Sequence, residues 1–215
     1  MKTILCYGDS NTWGFATRPG EENRYAAAER WPGVLAARLG AEWTVVAEGL
    51  NGRTTVHADP IEGRWLDGSA YLLPCLKSHR PLDAVAIMLG TNDLKARFNV
   101  SAAEIAWGAG QLLRIAVTSQ TGPGGKAPRL LLICPPPILN HHGEATDLAE
   151  MFVGGYRKSL AMAERYAMVA KEHGAAFLNA GDHIMSSAFD GIHLDADAQA
   201  ALGRAVGDQI VKLGW

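Results

Sequence analysis

Five short apolar runs, each closed by turn residues and each followed by a stretch of polar or helical spacing, restrict most strongly how this chain can fold. The runs are Thr3 to Tyr7, Thr44 to Ala47, Asp83 to Leu89, Leu130 to Cys134 and Ala176 to Leu178. They read as strands buried on both faces. Helical patterns cover Trp31 to Leu39, about Ala70 to His79, Ala102 to Thr118, a long one from about Leu148 to Glu172, and Ala196 to Leu213. Parallel strands need crossover connections, which place helices on both sides of the sheet. The expectation is an α/β fold: a three-layer α/β/α sandwich around a mostly parallel, five-stranded sheet. At 215 residues, with no internal repeat, low-complexity tract or linker, residues 1–215 are expected to form a single domain.

In such folds ligands sit beyond the carboxyl ends of the strands. Three segments rich in polar residues and glycine come there: Gly8-Asp9-Ser10-Asn11, Glu48-Gly49-Leu50-Asn51-Gly52-Arg53 and Gly90-Thr91-Asn92-Asp93. They should converge on one rim. The loops Ala16 to Arg30 and Pro135 to Asp147 exceed the usual connection of about 4 to 6 residues and could shape a pocket or a subunit contact.

Composition narrows the partners. With 48% hydrophobic and 20% charged residues and a net charge of −2, the chain has no field to attract nucleic acid or anionic lipid. No stretch approaches the roughly 20 apolar residues that span a bilayer, and the short run before Gly8 is a first strand rather than a secretory signal core. Cys6, Cys75 and Cys134 are odd in number, and their spacings suit neither a disulfide framework nor a zinc site. Reduced, buried thiols in a cytoplasmic protein are expected.

Hydrolysis of an ester without a metal needs a nucleophile, a base, a group to orient the base and donors for the oxyanion. Ser10 sits in a Gly-Asp-Ser turn at the end of the first strand, as a nucleophile or as a turn and capping residue. In Asp190-Gly191-Ile192-His193 one tight turn could bring the carboxylate to the imidazole, either as a local hydrogen bond or with the far ring nitrogen facing Ser10. Asn92 could donate its amide to an oxyanion or cap a turn, and Gly52 could let substrate approach its backbone or simply make a turn.

Taken in order, Gly8-Asp9-Ser10, Gly52, Gly90-Thr91-Asn92-Asp93 and Asp190-x-x-His193 resemble the SGNH hydrolases, also called GDSL-type esterases and lipases. The resemblance runs from the first strand to the last helix and implies that family's flavodoxin-like fold. It implies a serine esterase working through an acyl-enzyme, with Ser10 as nucleophile, His193 as base, Asp190 as third triad member, and Ser10, Gly52 and Asn92 as the oxyanion hole. No cofactor and no metal are implied. Asn11 stands where the family has leucine, which places a polar group beside the nucleophile. Thr12-Trp13-Gly14, Arg53-Thr54-Thr55 and Pro135-Pro136-Pro137 look like the small bacterial arylesterase and acyltransferase branch. That branch implies a small short-chain ester as substrate, water or alcohol as acyl acceptor, perhydrolase side activity and a homo-oligomer. Alternatives on the same scaffold are a carbohydrate deacetylase and a thioesterase or lysophospholipase, and, in another class, a catalytically silent flavodoxin-like binding module.

Asn11 and Trp13 are expected to contact substrate, Trp13 as a wall for an apolar acyl group. Trp31, Trp65 and Trp107 are expected to pack, and Arg53 and Asp93 to brace the rim loops. His141-His142 is read as a solvated loop, because adjacent histidines point apart and lack further ligands. The glycine- and proline-rich segment Thr121 to Pro128 follows a helix and lacks the hydroxyl residue after its lysine, so it is a surface connection rather than a phosphate loop.

Overall fold

The computed structural model describes residues 1–16, 24–141 and 146–215. The five apolar runs form β1 (Lys2–Gly8), β2 (Trp43–Gly49), β3 (Ala84–Met88), β4 (Arg129–Cys134) and β5 (Ala176–Asn179). All pairings are parallel and the order across the sheet is β2-β1-β3-β4-β5. This is the flavodoxin-like order, with its switch point between β1 and β3, where a crevice opens at the carboxyl ends.

The helices are α1 (Ser10–Trp13), α2 (Trp31–Leu39), α3 (Gly68–His79), α4 (Ala102–Thr118), α5 (Thr146–Met151), α6 (Gly155–Leu160), α7 (Met162–Glu172) and α8 (Ala196–Lys212). Alternate residues of the strands feed two cores. Ile4, Cys6, Ala86 and Ile133 pack with Trp31 and Leu35 of α2 and Val206 and Ile210 of α8. Leu5, Tyr7, Ile87 and Leu132 pack with Leu76 of α3, Leu112 of α4 and Tyr166 of α7. The three layers follow. Local signals set several boundaries: Asp67 caps α3 by accepting from Ser69 N, and Ser101 and Glu104 form a reciprocal capping box at α4.

The long helix expected from Leu148 to Glu172 is three helices. Gly154 takes φ +75°, a left-handed conformation that ends one segment, and a turn at Ala161 separates α6 from α7. The hydrophobic period alone does not register these breaks, because adjacent glycines remove propensity without altering the apolar spacing. Bending here lets Phe152 and Tyr166 both be buried, with Tyr166 Oη donating to Leu89 O at 2.8 Å.

Tryptophans divide. Trp31 is fully buried as expected, whereas Trp65 and Trp107 are 70% and 64% exposed. The packing expectation fails for those two, since among the described residues no element covers either ring. Among the described residues, no helix is long and apolar enough to cross a membrane. His141 is exposed, while His142 and residues 17–23 of the first long loop lie outside the described residues.

Candidate active site

Ser10 is the first residue of α1, directly beyond β1. Asp9 caps that turn, its Oδ1 accepting from Asn11 N at 2.9 Å, and Gly14 closes it. As a first helical residue Ser10 has no intrahelical acceptor for its own N–H. The turn is tied to the end of the chain: Gln199 donates to Asn11 O at 3.0 Å and accepts from Trp31 N at 2.9 Å. Asn11 is buried by this packing and Trp13 carries Arg24 on its ring, 4.4 Å from guanidinium carbon to centroid. Neither lines the cleft beside Ser10.

The loop before α8 delivers the imidazole. Asp190 Oδ1 accepts from the backbone N–H groups of Ile192 and His193, both at 2.9 Å, which leaves Oδ2 for His193 Nδ1 at 2.6 Å. His193 Nε2 then lies 3.0 Å from Ser10 Oγ. Phe15 stacks on the ring with centroids 4.3 Å apart, and Ser187 N donates to His193 O at 2.7 Å, so the imidazole is held from several directions. Burial pushes the Asp190 carboxyl up, but the hydrogen bonds and charge of His193 and the two backbone donors outweigh it and hold the group below the ordinary carboxylate value.

Two loops complete the rim. Gly52 adopts φ +82° after β2, and a Cβ there would lie 3.0 Å from both Glu62 Oε2 and Leu66 Cδ1. Asn92, beyond β3, donates from Nδ2 to Arg53 O at 3.2 Å, leaving its second amide hydrogen for the cleft. Arg53 and Asp93 brace these loops as expected. The Arg53 guanidinium donates to Gly8 O and Glu48 O and lies 4.2 Å from the Tyr7 ring centroid, while buried Asp93 accepts from Thr55 N and Thr55 Oγ1.

Ser10, Gly52, Asn92 and His193 converge on a cleft of about 240 Å³. Phe15, Leu148, Met151, Phe152 and Ile192 supply its apolar lining, and Asn51, Glu62 and Lys95 its polar side. Apart from Asn51, which lies in one of the expected rim segments, sequence reasoning missed these lining residues. A usable signal was the 148, 151, 152 spacing, which puts three apolar side chains on one helical face. Lys95 Nζ contacts both Glu62 oxygens at 2.7 and 2.8 Å, and Arg97 bridges Glu62 and Asp59.

Asp9 is the unusual carboxyl. Burial, opposed by the Asn11 N–H and by the charges of His193 and Arg53, pushes it up to about 6, and its Oδ2 has no hydrogen-bond partner among the described residues. Glu48, Cys75 and His79 are a further group whose ligand atoms cluster, away from the cleft on the β2 side.

The arrangement can pass a proton from a hydroxyl to an imidazole steadied by a carboxylate, beside donors suited to an oxyanion. Comparison with known proteins places the whole chain among ester hydrolases. A carbohydrate acetylesterase from Sinorhizobium meliloti shares 40% identity over 99% of this chain and 100% of its own, with a TM-score of 0.93. The aryl esterase of M. smegmatis shares 40% identity over 99% and 100%, with a TM-score of 0.92. A carbohydrate acetylesterase family member from Sinorhizobium meliloti shares 36% identity over the full length of both chains, with a TM-score of 0.90. A comparison with curated proteins gave no match. Residues 6–201 match the GDSL-like lipase/acylhydrolase family, so this chain belongs to that family and is a carboxylic ester hydrolase.

Proposed function

We propose that this enzyme cleaves short-chain acyl esters by a two-step acyl transfer through Ser10. Ser10 Oγ attacks the ester carbonyl while His193 Nε2 takes its proton, and the oxyanion is held by the N–H groups of Ser10 and Gly52 and by Asn92 Nδ2. The tetrahedral species collapses, His193 gives the proton to the leaving alkoxide, and the alcohol departs. Water, or an alcohol in a transfer reaction, then gives its proton to His193 and attacks the acyl-enzyme, and the returned proton frees Ser10. Asp190 fixes the ring tautomer throughout. No cofactor enters this scheme.

The observation that carries the reading is the unbroken relay from Ser10 Oγ through His193 to Asp190, at 3.0 and 2.6 Å, opening into the cleft. The cleft, at about 240 Å³, lies below the roughly 300 Å³ at which drug-sized pockets begin, which supports a small acyl group. Initial rates on p-nitrophenyl acetate, butyrate and decanoate test this: activity is expected to fall with chain length, and equal rates on acetate and decanoate would overturn the short-chain assignment.

A second reading is an acetylated carbohydrate as the natural ester, favoured by the polar side of Asn51, Glu62 and Lys95 and by the named activity of the Sinorhizobium relatives. Release of acetate from acetylated xylose, compared with phenyl acetate, separates it from an aryl ester preference. A homo-oligomer is also proposed, supported by the exposed Ile61, Trp65 and Trp107, and sedimentation velocity checks it.

A further inference from the structure

Cys75 and His79 stand four residues apart on α3, so their side chains leave the same helical face one turn apart. Two ligands at that spacing on a helix are a recurrent way of presenting one metal ion with a pair of donors. Glu48, near the end of β2, reaches the same point: His79 Nε2 lies 2.9 Å from Glu48 Oε1, and the ligand atoms of all three residues fall within 4.8 Å of one another. We propose that Glu48, Cys75 and His79 form a binding site for a divalent cation of the zinc class, with a fourth position open to water or a solute.

The donor set selects the ion. One sulfur, one imidazole nitrogen and one carboxylate oxygen suit a borderline-soft cation and poorly suit calcium or magnesium, which prefer oxygen alone. Tetrahedral bonds of about 2.0 to 2.3 Å place ligand atoms roughly 3.3 to 3.5 Å apart, so the present cluster, within 4.8 Å, needs to close by at most about 1.5 Å. His79, with 34% of its side chain exposed, has room to make that movement. As the metal–sulfur bond forms, the Cys75 proton passes to solvent, and the Nε2 proton that His79 donates to Glu48 is released to solvent while Nδ1 carries the ring's one remaining proton, which frees Nε2 for the ion. Coordination deprotonates a thiol outright, so the ion would take the place of the Cys75 proton beside the Glu48 carboxylate.

The site has a route to the cleft. Arg53 donates to Glu48 O and to Gly8 O, and Arg53 O holds Asn92 Nδ2. An ion that pulls Glu48 toward α3 shifts the carbonyl on which Arg53 rests, and is expected to slow ester turnover at least twofold. That consequence rests on the catalytic reading proposed above, whereas binding itself does not.

The test is a titration of chelator-treated enzyme with cobalt(II), followed by the thiolate-to-cobalt charge-transfer band in the near ultraviolet, and then displacement with zinc. The expected result is a saturable one-to-one band that is lost in Cys75→Ser and weakened at least tenfold in His79→Ala. His79→Ala removes a partly exposed ring, so it serves where Cys75→Ser fails to fold. No thiolate band in the folded wild type, or an equal band in His79→Ala, overturns the site. Zinc should slow p-nitrophenyl acetate hydrolysis by the wild type and not by His79→Ala. A cobalt band with no zinc effect on rate leaves the site standing and removes its link to turnover.

Discussion

The two flanks of the cleft are held in different ways. On the Ser10 and His193 flank, short hydrogen bonds and a stacked ring fix the reacting groups, and the one charged partner, Asp190, takes three of its contacts from within four residues of itself. On the Gly52 and Asn92 flank, charges fix the loops over long sequence distances: Lys95 and Arg97 on Glu62, Arg97 on Asp59, and Arg53 on the carbonyls of Gly8 and Glu48. Locally closed geometry survives small movements elsewhere, whereas a charged network fails by leaving a buried charge unpaired. The first flank should therefore break at single atoms, and the second by imbalance of charge.

The largest effect is expected at Ser10. Ser10→Ala removes the attacking oxygen and should reduce kcat/KM on p-nitrophenyl acetate on the order of 10⁴-fold or more, with circular dichroism unchanged. A folded variant that keeps wild-type rates would remove the nucleophile assignment. Across the cleft, Asn92→Ala should reduce kcat about 100-fold, since it deletes a donor that strengthens as the oxyanion forms. If KM rises and kcat stays, Asn92 holds substrate rather than the transition state.

Asp9 gives a pH-dependent comparison. Its folded-state value of about 6 lies above the ordinary 3.8, so the native state holds this proton more tightly than the unfolded chain does. Its contribution favours folding below about 3.8 and is lost as pH rises through about 6, a change of about 3 kcal/mol for two pKa units. Asp9→Asn keeps an acceptor for the Asn11 N–H and removes the titration. Urea midpoints should show the variant gaining on the wild type between pH 4 and pH 7, and parallel curves would contradict a buried, raised carboxyl.

The smallest effect sharpens the charged flank. Lys95 is nearly buried beside Glu62, whose carboxylate lies close to Gly52. Lys95→Met should leave negative charge next to the developing oxyanion and lower kcat about tenfold, or about 1.4 kcal/mol. Adding Glu62→Gln should recover most of that loss. Failure of the double variant to recover would mean that the pair only supports the loop, because a loss of packing is not relieved by removing a charge.

Much of the fold was legible because it is encoded at short range. The five runs of uninterrupted apolar residues marked buried parallel strands, and Asp190-Gly191-Ile192-His193 contained the turn that brings the carboxylate to the imidazole. The period of Leu148 to Glu172 was read as one helix because Gly154 leaves the apolar spacing intact while ending the helix through its own φ. Trp13 and Asn11 were expected in the cleft because they follow Ser10, yet one helical turn swings them toward Arg24 and α8 and leaves Phe15 to stack on His193.

The sequence by itself determined the layers, the strands and the local turns, since apolar spacing and turn chemistry act over a few residues. Only the tertiary structure decided which distant residues meet. The register of β1 beside β3 brings Ser10 near Asn92, and the packing of α8 on α2 carries His193 to within 3.0 Å of Ser10. The same long-range packing left Trp65 and Trp107 exposed and set Glu48 of β2 against Cys75 and His79 of α3. Contacts between residues tens to hundreds of positions apart depend on how whole elements pack, and no local pattern carries that information.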